Sequence, residues 1–358
     1  MARTRQSPAP APLDPFYVFS ALTGFGFVTQ WIVMMVNGSL VAMIVTTWEG
    51  AFPNGTPVKS WTGIWPIDFV LGVLVVFFGG VLDLADLPDL GPYLILVDLI
   101  SALGVCGIMT LVEDRRNRKT GSLRYPAFWQ IMWNYCGAAS IMPVYSRLYV
   151  KNRLANSPGL PRDQAQALPF TALWSIVLSL TLLLPTVLGA APFRIQDGVV
   201  VWFLSPLAVG PFQELASVLI SRLGSYYKGF ANPVAGAYCI VGAVSGAVHL
   251  SVAAWAFRSP DLSWSRIYWP NHAAVQPGPT HMTEAAVVFM QYGHLAVSFC
   301  VLALGIYTLR SAKVSAGRPM LTLVALTAIA GPGVGLAWLL CGRERETTAA
   351  VNASSKKS

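Results

Sequence analysis

The chain has 358 residues, of which 11% are charged and 54% hydrophobic, and its mean hydropathy is +0.56. Soluble globular domains carry roughly 25% charged residues, so this composition argues against an ordinary soluble enzyme. It also excludes a disordered chain, which would be poor in apolar residues. The composition therefore predicts a protein that crosses a membrane several times.

The net charge of +8 does not indicate a nucleic-acid partner. The basic residues lie in short clusters between apolar runs, as expected at the edges of membrane helices. The five cysteines form no CxxC pair, so the sequence has no zinc-ribbon or thioredoxin signature. We therefore predict no nucleic-acid partner and no cysteine-based metal site.

Apolar runs long enough to cross a membrane follow a polar N-terminal tail at residues 1–15. The runs are 16–47, 66–87, 92–112, 126–150, 168–190, 199–220, 233–257, 282–309 and 320–341. Barrel strands would be about 10 residues long and alternate in polarity, so these runs predict helices. We predict an all-α membrane bundle of nine spans, or eight if 126–150 is re-entrant. It forms one domain, 16–341, followed by a polar C-terminal tail, 342–358.

Acidic side chains in or beside these runs are the candidate catalytic groups. An ionised side chain costs roughly 2.5–3.5 kcal/mol at the membrane centre, so each needs a partner or a function. Asp68 opens the second run, Asp98 lies within the third, Glu113 follows the third, and Glu214 lies within the sixth. A functional and a structural role are equally open for Asp68 and Asp98. For Glu113, an interfacial ion-pair cluster with the neighbouring charges is an equal alternative.

Three other ionisable residues in the apolar runs have simpler explanations. His249 is surrounded by small residues, which favours a hydrogen-bonded packing histidine. Glu284 follows Thr283 at the start of a run and is expected to cap a helix. His294 is consistent with either packing or function.

Motifs for nucleotide or metal binding are missing from the sequence, which contains no P-loop, HExxH, GxSxG or DDxxD. The glycine-rich segment 331–335 lies within an apolar run and predicts a kink or a close-packing site. We expect no cofactor and no metal. An enzyme with this sequence would use proton chemistry on a lipid-soluble substrate.

Several short motifs resemble those of the integral-membrane terpene cyclases of filamentous fungi, of the ascofuranone and macrophorin meroterpenoid type. The resemblance covers most of the chain in length and in the order of the spans. The motifs are Pro66-Ile-Asp-Phe69, Phe77-Phe78, Asp83, Glu113-Asp-Arg-Arg-Asn117, Gln130, Trp133-Asn134 and Pro143-Val-Tyr145.

The resemblance implies a membrane enzyme of secondary metabolism, located in the endoplasmic reticulum. Such enzymes protonate an epoxide or alkene of a farnesyl-type chain on a polyketide-derived ring, and the cation then cyclises. No diphosphate leaves, so no metal is implied, and the partner is a lipophilic prenylated molecule. The acids that would carry this chemistry are Asp68 and Asp98, then Glu113 and Glu214.

Two other functions remain open from the sequence. A proton-coupled transporter of a small hydrophobic or organic solute could use the buried carboxylates and His294 as its relay. We find no internal repeat of the kind that many transporters show. A receptor or scaffold is a third possibility, without a specific motif in its favour.

Overall fold

The computed structural model describes residues 13–84, 87–116, 121–154, 159–224, 229–311 and 317–355. Across these ranges the chain is helical, and the sole β-type pairing described is an isolated bridge between Ala51 and Pro57. The predicted all-α fold is confirmed. Of the predicted N-terminal tail, residues 1–12 lie outside the described residues.

The helices follow the apolar runs of the sequence. In chain order they are α1 (Pro15–Phe27), a π-helical turn (Val28–Ile32), α2 (Val33–Val36), α3 (Ser39–Glu49), α4 (Trp65–Leu82), α5 (Gly91–Arg116), α6 (Pro126–Cys136), α7 (Ala138–Arg153), α8 (Arg162–Val187), α9 (Pro192–Leu204), α10 (Pro206–Leu223), α11 (Pro233–Arg258), α12 (Trp264–Tyr268), a 3₁₀ turn (His272–Ala274), α13 (His281–Ser311), α14 (Gly317–Ile329) and α15 (Pro332–Ser355).

Local sequence explains where several helices begin and end. Asp14 accepts a hydrogen bond from the Phe16 N–H at the start of α1, and Asn232 caps α11 in the same way through Ala235. Glycines in the left-handed region separate helices that would otherwise be continuous. Gly137 (φ 87°) divides α6 from α7, and Gly331 (φ 92°) divides α14 from α15.

The described residues do not confirm the predicted eight or nine spans. Six helices are long and apolar enough to cross a membrane, or seven if the bent pair α9 and α10, which meet at 57°, forms one span. The six are Pro15–Val36, Trp65–Leu82, Gly91–Arg116, Arg162–Val187, Pro233–Arg258 and His281–Ser311. The prediction counted 126–150 and 320–341 as continuous runs, but Gly137 divides the first between α6 and α7, and Gly331 divides the second between α14 and α15.

Helix α5 lies at the centre of the bundle and is the most buried of the six. It packs against α8, α11, α13 and α15. Many large apolar side chains on the outer helices are exposed, including Val36, Leu173, Phe257 and Leu321. Exposed apolar surface on this scale is unusual for a soluble monomer and fits contact with lipid. The protein is therefore a helical membrane protein whose polar interior is built around α5.

Candidate active site

Asp98 is the most deeply buried acid on α5, with 1% of its surface exposed. Its Oδ2 accepts a hydrogen bond from the Tyr268 hydroxyl at 2.8 Å and lies 2.8 Å from Nδ1 of His249. Nε2 of His294 lies 3.4 Å from the same oxygen, which is an ion-pair distance. Three side chains from three other helices therefore converge on this carboxylate of α5. We refer to Asp98, His249, Tyr268 and His294 as the Asp98 quartet.

The rings of the quartet are arranged in a compact stack. The imidazoles of His249 and His294 are nearly parallel, at 8°, with centroids 5.9 Å apart. Burial, with the adjacent Asp98 carboxylate, raises the pKa of Tyr268 above its usual range. The phenol therefore keeps its proton and acts as a donor to Asp98.

Two buried polar atoms of the quartet have no hydrogen-bond partner among the described residues. They are Oδ1 of Asp98 and Nε2 of His294. Buried polar atoms in proteins are nearly always paired, so unpaired ones call for an explanation. A carboxylate oxygen and an imidazole nitrogen can exchange a proton or bind a polar atom of a ligand. The convergence of two imidazoles and a phenol on a buried carboxylate with one unpaired oxygen makes the quartet the candidate active site.

Small residues allow the helices of the quartet to approach one another. A β-carbon at Gly293 would lie 3.4 Å from Cδ2 of Leu99, so α13 runs close to α5 at this level. The backbone of Gly331 lies against the imidazole of His249. The close-packing role predicted for the segment 331–335 is confirmed at this position.

Three members of the quartet could also hold a metal ion. One ligand atom from each of Asp98, His249 and His294 lies within 4.8 Å of the others. Two histidines and a carboxylate are a common set of ligands for transition metals. Asp98 Oδ2 and His249 Nδ1, however, already satisfy each other at hydrogen-bond distance.

Asp68 has a different environment, in the first turn of α4. Its carboxylate accepts hydrogen bonds from the backbone N–H groups of Trp61, Thr62 and Gly63 at 2.9–3.0 Å. The hydroxyls of Ser60 and Thr62 also donate to it. This set of donors orders the loop that precedes α4.

Glu113 lies 15 residues after Asp98, roughly 22 Å further along α5 at 1.5 Å per residue. Its carboxylate pairs with Arg153 of α7 at 2.7 Å and with Arg116 at 3.4 Å. Arg116 also pairs with Glu344 of α15, and Arg343 donates to the backbone carbonyl of Arg153. Glu113 thus lies in an ion-pair cluster, but the cluster is buried and includes partners from α7 and α15, whereas the sequence suggested an interfacial one with neighbouring charges. The segment 342–355, expected as a tail, continues α15 and contributes to this cluster.

Glu214 is more exposed than Asp98 and Glu113, with 41% of its side chain accessible. It pairs with Arg115 at 2.8 Å and accepts a hydrogen bond from Gln164 at 3.0 Å. Arg115 lies two residues after Glu113 on α5, so its partner Glu214 lies near the same end of that helix. The four predicted acids therefore do not form one site, and only Asp98 belongs to the quartet.

Sequence reasoning did not identify Tyr268, and it favoured a packing role for His249. Tyr268 lies between two long apolar runs, in a segment rich in aromatic residues, which is typical of a membrane interface. The position of Asp98 did indicate that such partners exist, because an acid inside an apolar run needs hydrogen-bond donors. The chain contains only four histidines, and two of them lie within apolar runs.

A cavity of about 1080 Å³ opens where α4 and α8 end and α13 begins. Its walls are mainly apolar, and Asp83, Gln196 and Thr283 are among the polar residues that line it. Thr283 precedes His294 by 11 residues, which is about three turns of α13, so both project from the same face. Thr283 at the cavity and His294 in the quartet therefore lie on the same face of α13, about 16 Å apart along the helix.

Comparison with known proteins gives this architecture a family. The CtvD domain family matches residues 16–347, nearly the whole chain. The chain belongs to the CtvD domain family. This CtvD-domain protein is similar to Terpene cyclase DEP1 of Alternaria brassicicola, with 27% identity over 274 residues. The aligned region covers 73% of this chain and 72% of the relative.

Two further relatives are similar to this CtvD-domain protein. Terpene cyclase DEP1 of Fusarium langsethiae is 26% identical over 268 residues, covering 72% of each chain. Terpene cyclase alnG of Emericella nidulans is 25% identical over 340 residues, covering 89% of this chain and 91% of that one. No solved structure matches the chain. The resemblance to terpene cyclases of filamentous fungi is confirmed.

Proposed function

We propose that this protein is a membrane terpene cyclase that uses the Asp98 quartet to start cyclisation by proton transfer. The observation that carries the proposal is the buried Asp98 carboxylate, bonded to Tyr268 and His249 and with Oδ1 left unpaired. The relatives named terpene cyclases support the reaction class. The substrate class is a farnesyl-type chain, carrying a terminal epoxide or alkene, on a polyketide-derived ring.

The proposed reaction is an isomerisation that returns its proton. In the proposed reaction Asp98 carries a proton on Oδ1 and donates it to the epoxide oxygen, and that C–O bond breaks as the π electrons of the neighbouring alkene form a new C–C bond. The final cation loses a proton to Oδ1 of the resulting Asp98 carboxylate, which restores the starting state. General acid catalysis of this kind contributes typically 10²–10⁴-fold to a rate. An interior without water protects the cation from being quenched.

The quartet has the components that this sequence of steps needs. Asp98 Oδ1 has no hydrogen-bond partner among the described residues and is the atom proposed to meet the substrate. Tyr268 and His249 hold Asp98 Oδ2 in place, so the reactive oxygen has a fixed direction. A preorganised group of this kind loses little energy to rearrangement during the reaction.

The cavity near Thr283 supports a bulky, lipophilic substrate. Its volume of about 1080 Å³ lies at the upper end of the roughly 300–1,000 Å³ usual for ligand pockets. In this proposal the ring occupies the cavity, and the prenyl chain extends along the shared face of α13 towards His294. Val287 and Met290 lie on that face between the two ends as buried apolar side chains, which must move aside to admit the prenyl chain. The membrane is proposed to be that of the endoplasmic reticulum.

The other three acids have structural roles in this proposal. Asp68 orders the loop before α4, Glu113 neutralises buried arginines, and Glu214 pairs with Arg115 near the surface. None of the three needs to exchange a proton during the reaction.

The test is turnover of an epoxyfarnesyl phenol by microsomes from a host that expresses the protein. We expect a cyclised isomer of unchanged mass. Asp98→Asn should lower the rate roughly 10²-fold or more, because the amide keeps the shape but cannot donate a carboxyl proton. Asp261→Asn, on an exposed loop, is the matched control and should leave the rate unchanged. Normal turnover by Asp98→Asn would contradict the proposal. Solute uptake into vesicles without any conversion would instead favour the transporter.

A further inference from the structure

Arg266, on the short helix α12, connects three separate parts of the chain. Its Nε lies 2.9 Å from Oδ2 of Asp89, in the segment before α5. Its Nη1 and Nη2 lie 2.6 and 2.7 Å from the two carboxylate oxygens of Glu284, in the first turn of α13. A bidentate contact of this kind fixes both the orientation of the guanidinium and its distance from the carboxylate. Arg266 therefore holds α12 in a defined orientation.

The two acids that bind Arg266 are attached to the helices that carry the quartet. Asp89 Oδ1 accepts a hydrogen bond from the N–H of Gly91 at 2.6 Å, at the first residue of α5. Asp98 lies two turns further along that helix. Glu284 belongs to α13, which carries His294. Arg266 thus links α12 to the N-terminal ends of α5 and α13, the helices that supply Asp98 and His294.

Gln291 fixes α12 a second time. Its Nε2 donates to the backbone carbonyls of Arg266 at 2.9 Å and of Ile267 at 3.1 Å. Gln291 follows Glu284 by seven residues, so both project from the same face of α13. The residue that comes next in α12 is Tyr268, whose hydroxyl donates to Asp98. Two independent contacts thus immobilise the backbone just before the phenol of the quartet.

We infer that Arg266 and Gln291 are positioning residues that set the Tyr268 hydroxyl against Asp98 and so control the rate of the chemical step. The inference rests on the proposed function. Neither residue belongs to the quartet, and neither lines the cavity. Their loss should therefore change kcat and leave KM unaltered. A displacement of about 1 Å at a catalytic group can cost about 10²-fold in rate.

The test compares kcat and KM for Arg266→Gln, Arg266→Lys and Gln291→Leu in purified protein. We expect Arg266→Gln to lower kcat about 10²-fold with KM unchanged. Arg266→Lys should recover part of the loss, because lysine keeps the charge but not the two-pronged contact. Arg258→Gln is the control, since Arg258 is an exposed arginine at the end of α11. Thermal unfolding of each variant checks that it is folded.

Gln291→Leu keeps the inference testable if Arg266→Gln does not fold, because it removes two hydrogen bonds without exposing a buried charge. It should also lower kcat at unchanged KM. In a Tyr268→Phe background, either change should have little further effect, because the hydroxyl being positioned is already gone.

Folded Arg266→Gln and Gln291→Leu proteins with normal kcat would overturn the inference. It would also be overturned if, in the double variants with Tyr268→Phe, the fold-loss of kcat equalled the product of the two single losses. If Asp98→Asn is inactive while these variants remain active, only the positioning role fails. If Asp98→Asn remains active, the proposed function itself fails.

Discussion

The backbone of Gly331 lies so close to the imidazole of His249 that a β-carbon on the glycine would come within 2.8 Å of Cγ. The same glycine has φ 92°, a conformation that residues with side chains rarely adopt. Pro332 follows and begins α15. The break between α14 and α15 therefore packs directly against His249 of the Asp98 quartet.

We predict that Gly331→Ala lowers both stability and turnover. The added methyl group would strain the backbone and push the imidazole of His249 away from Asp98. Gly342→Ala is a suitable control, because nothing lies within 4 Å of a β-carbon at that position. Thermal unfolding and turnover per folded molecule measure the two effects. A Gly331→Ala protein with normal turnover would show that the position of His249 does not matter for the reaction.

Glu113→Gln should destabilise the protein by about 3–5 kcal/mol, the usual effect of breaking a buried ion pair. The change leaves Arg153 and Arg116 facing a neutral group in a buried site. Glu214→Gln is the matched control, because the partly exposed pair with Arg115 is worth about 0–1 kcal/mol. Denaturation in detergent measures both. Equal stability of the two variants would contradict the structural role of Glu113.

Asp68→Asn should loosen the loop before α4 and reduce turnover less than Asp98→Asn does. An amide offers one acceptor oxygen in place of two, so it cannot satisfy the five donors of residues 60–63. Faster hydrogen exchange at residues 60–63 is the expected sign. If turnover collapses while exchange in that loop stays unchanged, Asp68 is the proton donor that the sequence also allowed.

Treatment with a chelator should leave turnover unchanged. Asp98 Oδ2 is already hydrogen-bonded to Nδ1 of His249 and to the Tyr268 hydroxyl, so a metal ion on this oxygen would have to displace both contacts. Metal analysis before and after dialysis against EDTA, together with the rate, gives the answer. A stoichiometric metal whose removal abolishes turnover would replace proton donation with metal-assisted opening of the epoxide.

The helical class of the fold could be predicted because apolar runs of this length have no other stable form in a membrane. The number of spans could not. The break at Gly137 depends on a single positive φ angle, and a glycine inside an apolar run is compatible with either a continuous or a divided helix. Close packing at Gly331 was predictable, because several small residues cluster there with a proline.

Asp98 could be singled out from the sequence, but its partners could not. An acid in an apolar run needs hydrogen-bond donors, and the sequence alone shows that need. The donors themselves lie 151 residues away at His249 and 170 residues away at Tyr268. Which helices meet around α5 depends on packing of the whole bundle. Asp68, Glu113 and Glu214 satisfied the same requirement with local or surface partners, and the sequence does not distinguish these cases.

The pairing of Arg116 with Glu344 has a consequence for how the protein is made. Arg116 ends α5, in the first third of the chain, whereas Glu344 lies in the last helix. Helices are synthesised and inserted from the N-terminus onwards, so Arg116 enters the membrane long before Glu344 exists. Until then Glu113 must balance both Arg116 and Arg153 by itself. Completion of α15 therefore supplies Glu344 as the second partner of Arg116 and closes the bundle around α5.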